Sequence, residues 1–309
     1  MVIDKNASIV TKGISIILIV IHHYTQNYGC FPDIFRGVGP MACSAFFLIS
    51  GYGLSVNRSS YSKWIQRLLK LYVPFVLSNS FYILLFVTLC VYVFSPMRII
   101  TDFLGITLIN GHCWFLQYLI LFYILTAIVD VKLENNRSWL VPVLAMAGGG
   151  VFSVLTYAPG TLSWIAFPLG FILRNIELKR AKNLLKILSG LIGVVCFFCY
   201  FYVEEMKINS SLLLANFILM CTTIPFALLF VGEWLKSSAA LKIIGESSID
   251  IYLMHGLIII LVGKMMLPNT LRVTVYLVSI AIAAYLFNRF QRMIFNIILS
   301  NYKVCRSKS

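Results

Sequence analysis

The sequence predicts an all-α polytopic membrane protein of about ten transmembrane helices. Of its 309 residues, 60% are hydrophobic and only 12% are charged, whereas a soluble domain of this length needs far more charge to cover its surface. The mean hydropathy is +0.90. Apolar runs of about 20 residues, long enough to cross the hydrocarbon core of a bilayer, recur along the whole chain. The lipid bilayer is therefore the expected surroundings of most of the chain.

Ten apolar runs define the predicted spans. The sixth is short and ends at Arg174, so we expect it to be tilted or irregular. Between spans, segment 58–72 is typical of a basic amphipathic helix on the membrane surface, and segment 97–109 of a second interfacial piece. Residues 1–309 contain no internal repeat and are predicted to form a single membrane domain. The spans are 8–26, 38–56, 73–95, 112–130, 139–157, 161–174, 184–203, 211–232, 247–266 and 272–295.

The distribution of Lys and Arg predicts the orientation. With the N-terminus in the cytoplasm, the inner segments of a ten-span chain hold 20 of the 25 basic residues. This asymmetry is the one that membrane insertion favours, so both termini are predicted to be cytoplasmic. An odd number of spans would spoil the asymmetry over the second half. The five outer basic residues are Arg36, Arg98, Lys207, Lys264 and Arg272.

The net charge of +14 does not indicate a nucleic-acid partner. The basic residues lie in short clusters between apolar runs, as they do in loops that touch anionic lipid headgroups. We therefore predict a multi-pass protein of the inner or plasma membrane of the cell, with no nucleic acid among its partners.

Polar residues inside the spans carry the functional information, because burying them in lipid is costly. Lys12 and His23 lie eleven residues apart in the first span. On a helix they fall within about 20° of one face and about 16 Å apart along the axis, while His22 is rotated by about 100°. A snorkelling lysine with two interfacial histidines would explain the same pattern. We expect neither imidazole to hold a buried network.

Five motifs in order resemble the acyltransferase 3 family, integral-membrane enzymes that acylate hydroxyls of surface carbohydrates. A basic residue, ten residues and then histidine is the family's first motif, and Lys12 and His23 match it. Residues 46–52 are similar to the family's second-span motif, and residues 67–74 to its basic surface helix that runs into a proline. Trp114-Phe115-Leu116 with Tyr123 is similar to its fourth-span motif, and residues 244–255 to its late segment of glycine, serine, tyrosine and histidine.

Two departures from the family pattern leave details open. Many members have arginine where this chain has Lys12, and lysine keeps the charge but loses the bidentate fork. Some branches place an acid shortly after the tryptophan, where this chain has Gln117 and no acid before Asp130. The group that assists His23 therefore stays open.

The resemblance implies an O-acyltransferase, most simply an O-acetyltransferase, of an envelope polysaccharide or its lipid-linked precursor. The donor would be cytosolic acetyl-CoA or another acyl-CoA, whose phosphates would bind Lys12, Arg67 and Lys70. For Arg67 and Lys70 the other explanation is that their charge only sets the topology, as basic residues of cytoplasmic segments do. His23 would be the catalytic base or the carrier of the acyl group. No permanently bound cofactor and no metal are expected. The alternative function is a polysaccharide transporter or exporter on the same helical frame.

Three further residues are candidates for substrate or supporting roles. His112 lies at the predicted outer start of the fourth span beside Trp114. There it would orient the acceptor or the catalytic histidine, or anchor the span at the interface. His255 lies within the ninth span. It has either a functional role or the structural role of an interior hydrogen bond. Asp250, five residues earlier, falls about 140° away, so it does not share a face with His255.

Overall fold

The computed structural model describes residues 3–29, 31–56, 59–90, 95–132, 137–156, 162–174, 182–205 and 210–307. Within these ranges the chain forms twelve α-helices and no strand. The helices are α1 Lys5–Tyr28, α2 Val38–Val56, α3 Tyr61–Thr88, α4 Pro96–Phe103, α5 Trp114–Lys132, α6 Arg137–Thr156, α7 Ala166–Leu173, α8 Lys182–Glu205, α9 Ser210–Trp234, α10 Ala239–Glu246, α11 Ser248–Gly263 and α12 Asn269–Ser307.

The helices confirm an all-α, multi-pass membrane protein. By length and composition, seven of the described helices can cross a membrane, and an eighth span exists if α10 and α11, bent by 71°, count as one. Shorter apolar helices over Leu162–Leu173 and Ile187–Cys199 coincide with the sixth and seventh predicted spans. Each of the ten predicted runs therefore corresponds to an apolar helical segment.

Two predicted segments differ from the expected outline. Residues 61–72 of the surface segment and 73–88 of the next span form one helix, α3, which begins at Tyr61, continues through Pro74 and ends at Thr88. Proline removes the N–H that would bond the carbonyl of Lys70, yet the helix continues past it. Residues 91–94 of the predicted span lie outside the described residues. The sixth span is irregular as expected, a 3-10 turn over Leu162–Ile165 followed by α7.

The chain divides into two compact units. Unit 1 comprises Met1–Tyr61 and Leu121–Ser248, and unit 2 comprises Ser62–Ile120 and Ile249–Ser309. In unit 1, α1 packs against α2, α9 and α10, and α2 also packs against α7 and α9. Unit 1 therefore surrounds the predicted catalytic helix, α1, with three neighbours.

Glycines set a close contact between α2 and α7 in unit 1. A Cβ on Gly51 of α2 would collide with the backbone of Phe167, and a Cβ on Gly170 of α7 would collide with the backbone of Leu48. Such small-residue contacts let two membrane helices approach backbone to backbone. The second-span motif is thus explained by packing, and beside it Phe122 stacks on Phe167 with ring centroids 4.5 Å apart.

Unit 2 contains α3, α4, the first part of α5, α11 and α12. Side chains of α3 and α5 hold the α4 segment in place by hydrogen bonds to its backbone: the Tyr72 hydroxyl donates to Phe103 O at 2.9 Å, and the Gln117 amide donates to Gly105 O at 2.7 Å. Gln117, which stands where some relatives have an acid, therefore serves the packing of α4.

The orientation remains a prediction with a direct test. Met266 lies fully exposed between α11 and α12, and Ser237 lies exposed between α9 and α10. Because the outer segments hold the fewest Lys and Arg, a cysteine at Met266 should react with a membrane-impermeant maleimide in intact cells. A cysteine at Ser237 should react only after the cells are opened. The opposite pattern would reverse the predicted orientation.

Candidate active site

The first helix carries Lys12 and both predicted histidines without a break. It starts because the Asp4 carboxylate accepts a hydrogen bond from Ala7 N at 2.9 Å and caps the free N–H groups of the first turn. This bond, aided by Lys236 and Lys242, lowers the pKa of Asp4. The helix ends at Gly29, whose φ of 63° is left-handed, a conformation that glycine adopts at little cost.

His22 is a buried structural residue. Its side chain is only 6% exposed, and its Nδ1 lies 3.3 Å from Phe35 O. The ring occupies the space above Gly39 of α2, where a Cβ would lie 2.7 Å from His22 Nε2. From the sequence we expect no buried network at either imidazole; the structure shows that the His22 ring is buried, with a polar contact to Phe35 O, because Gly39 opens room for it.

His23 is half-buried and differs from its neighbour. Its Nδ1 lies 3.3 Å from Oε1 of Gln26, one turn further along α1. A carbonyl oxygen only accepts hydrogen bonds, so this contact is a hydrogen bond in the tautomer whose Nδ1 carries the proton. Gln26 is thus a group in unit 1 that orients His23, a role for which the sequence suggested no residue.

Asp130 is not that group. It is buried and forms an ion pair with Arg137, while its other oxygen accepts from Ser59 N at 3.2 Å. Arg137 also donates to the carbonyls at the end of α2, including Ser55 O at 3.1 Å. His22 contacts Gly39 at the start of α2, and sixteen residues of helix separate the two ends by about 24 Å. Asp130 therefore lies at the end of α2 that is opposite the end contacted by His22.

Lys12 is half-buried on α1 beside a very close helix contact. A Cβ on Gly13 would lie 3.2 Å from Gly245 N and collide with Leu241 O, and a Cβ on Gly245 would lie 3.1 Å from Gly13 N and collide with Ile9 O. The first family motif therefore packs directly on the start of the last one. This contact fixes α1, and with it Lys12, against α10.

The predicted donor-side cations lie on α3 in unit 2. Arg67 is half-buried, stands 5.2 Å from the centre of the Trp64 ring, and has an Nη1 that is buried without a hydrogen-bond partner among the described residues. Lys70 is exposed, 6.0 Å from the centre of the Phe295 ring. An unpaired guanidinium N–H is costly to bury, so Arg67 is suited to accept an anionic ligand.

Unit 2 brings His112 and His255 together. Their ring centroids are 5.0 Å apart, and His255 is fully buried. The Tyr252 hydroxyl donates to His112 O, and His255 Nδ1 lies 2.6 Å from Tyr252 O. Because the carbonyl only accepts, His255 Nδ1 carries the proton. These two residues are 143 positions apart in the chain, so no local sequence pattern could predict that their rings lie side by side.

Asp250 and His255 point away from different faces of α11, as the helical spacing predicts. Asp250 faces α12, where its carboxylate accepts from Asn288 Nδ2 at 2.6 Å and from Gln291 Nε2 at 2.5 Å. It is fully buried, so its position near the predicted cytoplasmic end does not leave it hydrated. Trp114 is half-buried and meets Tyr118 with ring centroids 6.4 Å apart.

The site residues thus fall into two groups, one in each unit. Lys12 and His23 share α1 of unit 1, while Arg67, Lys70, His112, Trp114 and His255 belong to unit 2. Both groups combine cationic side chains with half-buried imidazole, a chemistry suited to an anionic donor and to proton transfer. Their roles remain predictions.

The described helices, with histidine and basic side chains along them, are those of a multi-pass membrane protein. The model of one family, described as an acyltransferase domain, matches residues 6–289. The chain therefore belongs to the acyltransferase 3 family, as its five motifs predicted, and is a membrane acyltransferase. Comparisons with curated proteins and with solved structures find no match.

Proposed function

We propose that this chain is an O-acetyltransferase of the cell's plasma or inner membrane. It takes the acetyl group from cytosolic acetyl-CoA and transfers it to a hydroxyl of an envelope polysaccharide or of the lipid-linked precursor. Family membership supports acyl transfer; the donor, the acceptor and the acetyl group are parts of the proposal.

The observation that carries the proposal is the difference between the two adjacent histidines. His22 is buried against Gly39 and used by the fold, whereas His23 is half-buried with Gln26 on its Nδ1. An imidazole oriented through Nδ1 presents Nε2 as the atom that exchanges a proton, which is the usual arrangement of a general-base histidine. His23 is accordingly the proposed catalytic base.

In the simplest course of the reaction, His23 Nε2 accepts the proton of the acceptor hydroxyl. The hydroxyl oxygen bonds to the thioester carbonyl carbon, the C–S bond breaks, and the sulfur of CoA leaves with the proton from the imidazolium. Atoms and charge balance without an oxidant or metal.

The donor side of the proposal rests on the predicted cytoplasmic end of α3. Arg67 offers an N–H with no partner in the described part of the chain, and Lys70 offers an exposed ammonium one turn away. Phosphate groups accept charge-assisted hydrogen bonds from such side chains. On α1 of unit 1, Lys12 supplies a third candidate cation.

The proposal is tested by acetyl transfer in membranes. Membranes from a deletion strain, with or without the protein expressed from a plasmid, are incubated with acetyl-CoA labelled in the acetyl group. We expect alkali-labile label in the glycan fraction only when the protein is present. Equal labelling in both membranes would contradict the proposed donor and acceptor class.

The charges of α3 give a second expected result in the same assay. Changing both Arg67 and Lys70 to glutamine should raise KM for acetyl-CoA, because two charge-assisted contacts to phosphate, each worth about 1.5–3 kcal/mol, are lost. The matched control is Lys63→Gln with Lys132→Gln, which removes two exposed charges from predicted cytoplasmic segments. An unchanged KM in the first double variant would assign Arg67 and Lys70 to topology alone.

A further inference from the structure

The hydroxyl of Tyr82 is a buried polar group that the fold does not use. The side chain is 1% exposed, and its oxygen has no hydrogen-bond partner among the residues that the structure describes. Burying an unpaired hydroxyl destabilises a fold. A catalytic role, in which a bound substrate pairs with the group, is one of the explanations for such an atom.

The Tyr82 hydroxyl packs directly against a glycine of unit 2. A Cβ on Gly256 of α11 would collide with the Tyr82 oxygen and with the His112 ring, and would lie 3.0 Å from His112 Nε2. The hydroxyl and the imidazole therefore approach the same point on α11, which only glycine leaves open.

The groups around this point are held by contacts that do not involve the Tyr82 hydroxyl. His112 N donates to Asn110 Oδ1 at 3.0 Å, and His112 O accepts from the Tyr252 hydroxyl. The His255 ring, 5.0 Å from that of His112, is held through Tyr252 O. Cys113 and Tyr276 also lie close enough to Tyr82 to interact electrostatically. The site is therefore fixed in place before any ligand arrives.

The position of Tyr82 along α3 also fits a donor substrate. Tyr82 follows Arg67 by fifteen residues on the same helix, which corresponds to about 22 Å along the axis and a rotation of about 60°. An extended donor with its phosphates at Arg67 would place its acyl end deeper along α3, toward Tyr82.

We propose that Tyr82 is a further catalytic residue, which donates a hydrogen bond from its hydroxyl to the carbonyl oxygen of the acyl group. The inference rests on the proposed acetyl transfer. As the acceptor oxygen bonds to the carbonyl carbon, negative charge develops on the carbonyl oxygen, and the C–S bond then breaks to release the CoA thiol. Tyr82 keeps its proton throughout and stabilises that charge, as oxyanion-hole donors do.

The test is Tyr82→Phe, which removes only the hydroxyl. Purified variants are assayed with labelled acetyl-CoA and glycan isolated from the deletion strain. We expect kcat to fall by about 10² to 10³, as for removal of one oxyanion-hole donor, with little change in KM for acetyl-CoA. The midpoint of thermal unfolding should stay the same or rise, because the lost hydroxyl had no partner in the fold.

The matched control is Tyr72→Phe, on the same helix, whose hydroxyl bonds to Phe103 O at 2.9 Å. It should lower the unfolding midpoint and leave kcat per folded molecule unchanged. Wild-type kcat in Tyr82→Phe, or a rise in KM alone, would overturn the catalytic role. If the wild-type protein itself transfers no acetyl group, the proposed function is wrong. If the wild-type protein transfers it and the Tyr82→Phe variant is equally active, only the proposed role of Tyr82 is wrong.

Discussion

Replacing His23 by alanine is expected to reduce acetyl transfer by about 10² to 10⁴, the contribution of a well-placed general base. His23 is half-buried, and its hydrogen bond to Gln26 at 3.3 Å lies within one turn of α1. An effect on folding is separated from an effect on rate by counting only the folded protein. The measurement is O-acetyl content of surface glycan, normalised to the amount of protein in the membrane.

Two neighbouring substitutions separate chemistry from folding. His22→Ala should lower the amount of folded protein, because the ring fills the space over Gly39 and contacts Phe35 O, while transfer per folded molecule falls much less. Asn27→Ala removes an exposed contact to the backbone of His23 and should change neither quantity appreciably.

The outcomes distinguish the competing interpretations of α1. An equal loss per folded molecule from His22→Ala and His23→Ala would contradict the argument from helical rotation. Unchanged O-acetylation with His23→Ala, together with impaired export of the glycan, would favour the polysaccharide transporter.

Sequence reasoning predicted most of the fold because the bilayer imposes a single strong rule on the chain. A segment in hydrocarbon must satisfy its backbone hydrogen bonds within a helix, so apolar runs of sufficient length determine the spans. The same rule places Lys12 and His23 on one helix, and α1 is continuous through both. The separation of segment 58–72 from the next span failed because a proline near the membrane surface can be accommodated within a helix.

The parts of the site that could not be predicted depend on contacts between distant segments. Nothing local distinguishes His22 from His23 beyond their rotation; the difference arises because Gly39 of α2 makes room for one ring. In the same way, Tyr82 gains its position beside His112 from Gly256, which lies 174 residues further along the chain. Glycines in apolar runs were the available signal, but which residue each one admits is a property of the packed structure.

The contact between α1 and α10 leads to the second large expected effect. Changing Gly245 to alanine should destabilise unit 1, because its Cβ would collide with Ile9 O and lie 3.1 Å from Gly13 N. Both obstacles are backbone atoms, so no side-chain rotation relieves them and the two helices must move apart. Overpacking of this kind costs about 1–3 kcal/mol and occasionally more, and here it also displaces Lys12, the residue next to Gly13. We expect less folded protein in the membrane, a lower unfolding midpoint, and reduced transfer by the molecules that fold.

The matched control is the same substitution at Gly150 in α6, where no atom lies within 4 Å of an added Cβ. Alanine is favoured over glycine inside a helix by about 0.5–1 kcal/mol, so Gly150→Ala should leave the unfolding midpoint unchanged or raise it. The two variants share one chemical change and differ in what the new methyl group meets. If Gly245→Ala unfolds at the temperature of Gly150→Ala and retains full transfer, α1 and α10 do not require their close approach, and the contact has no part in positioning Lys12.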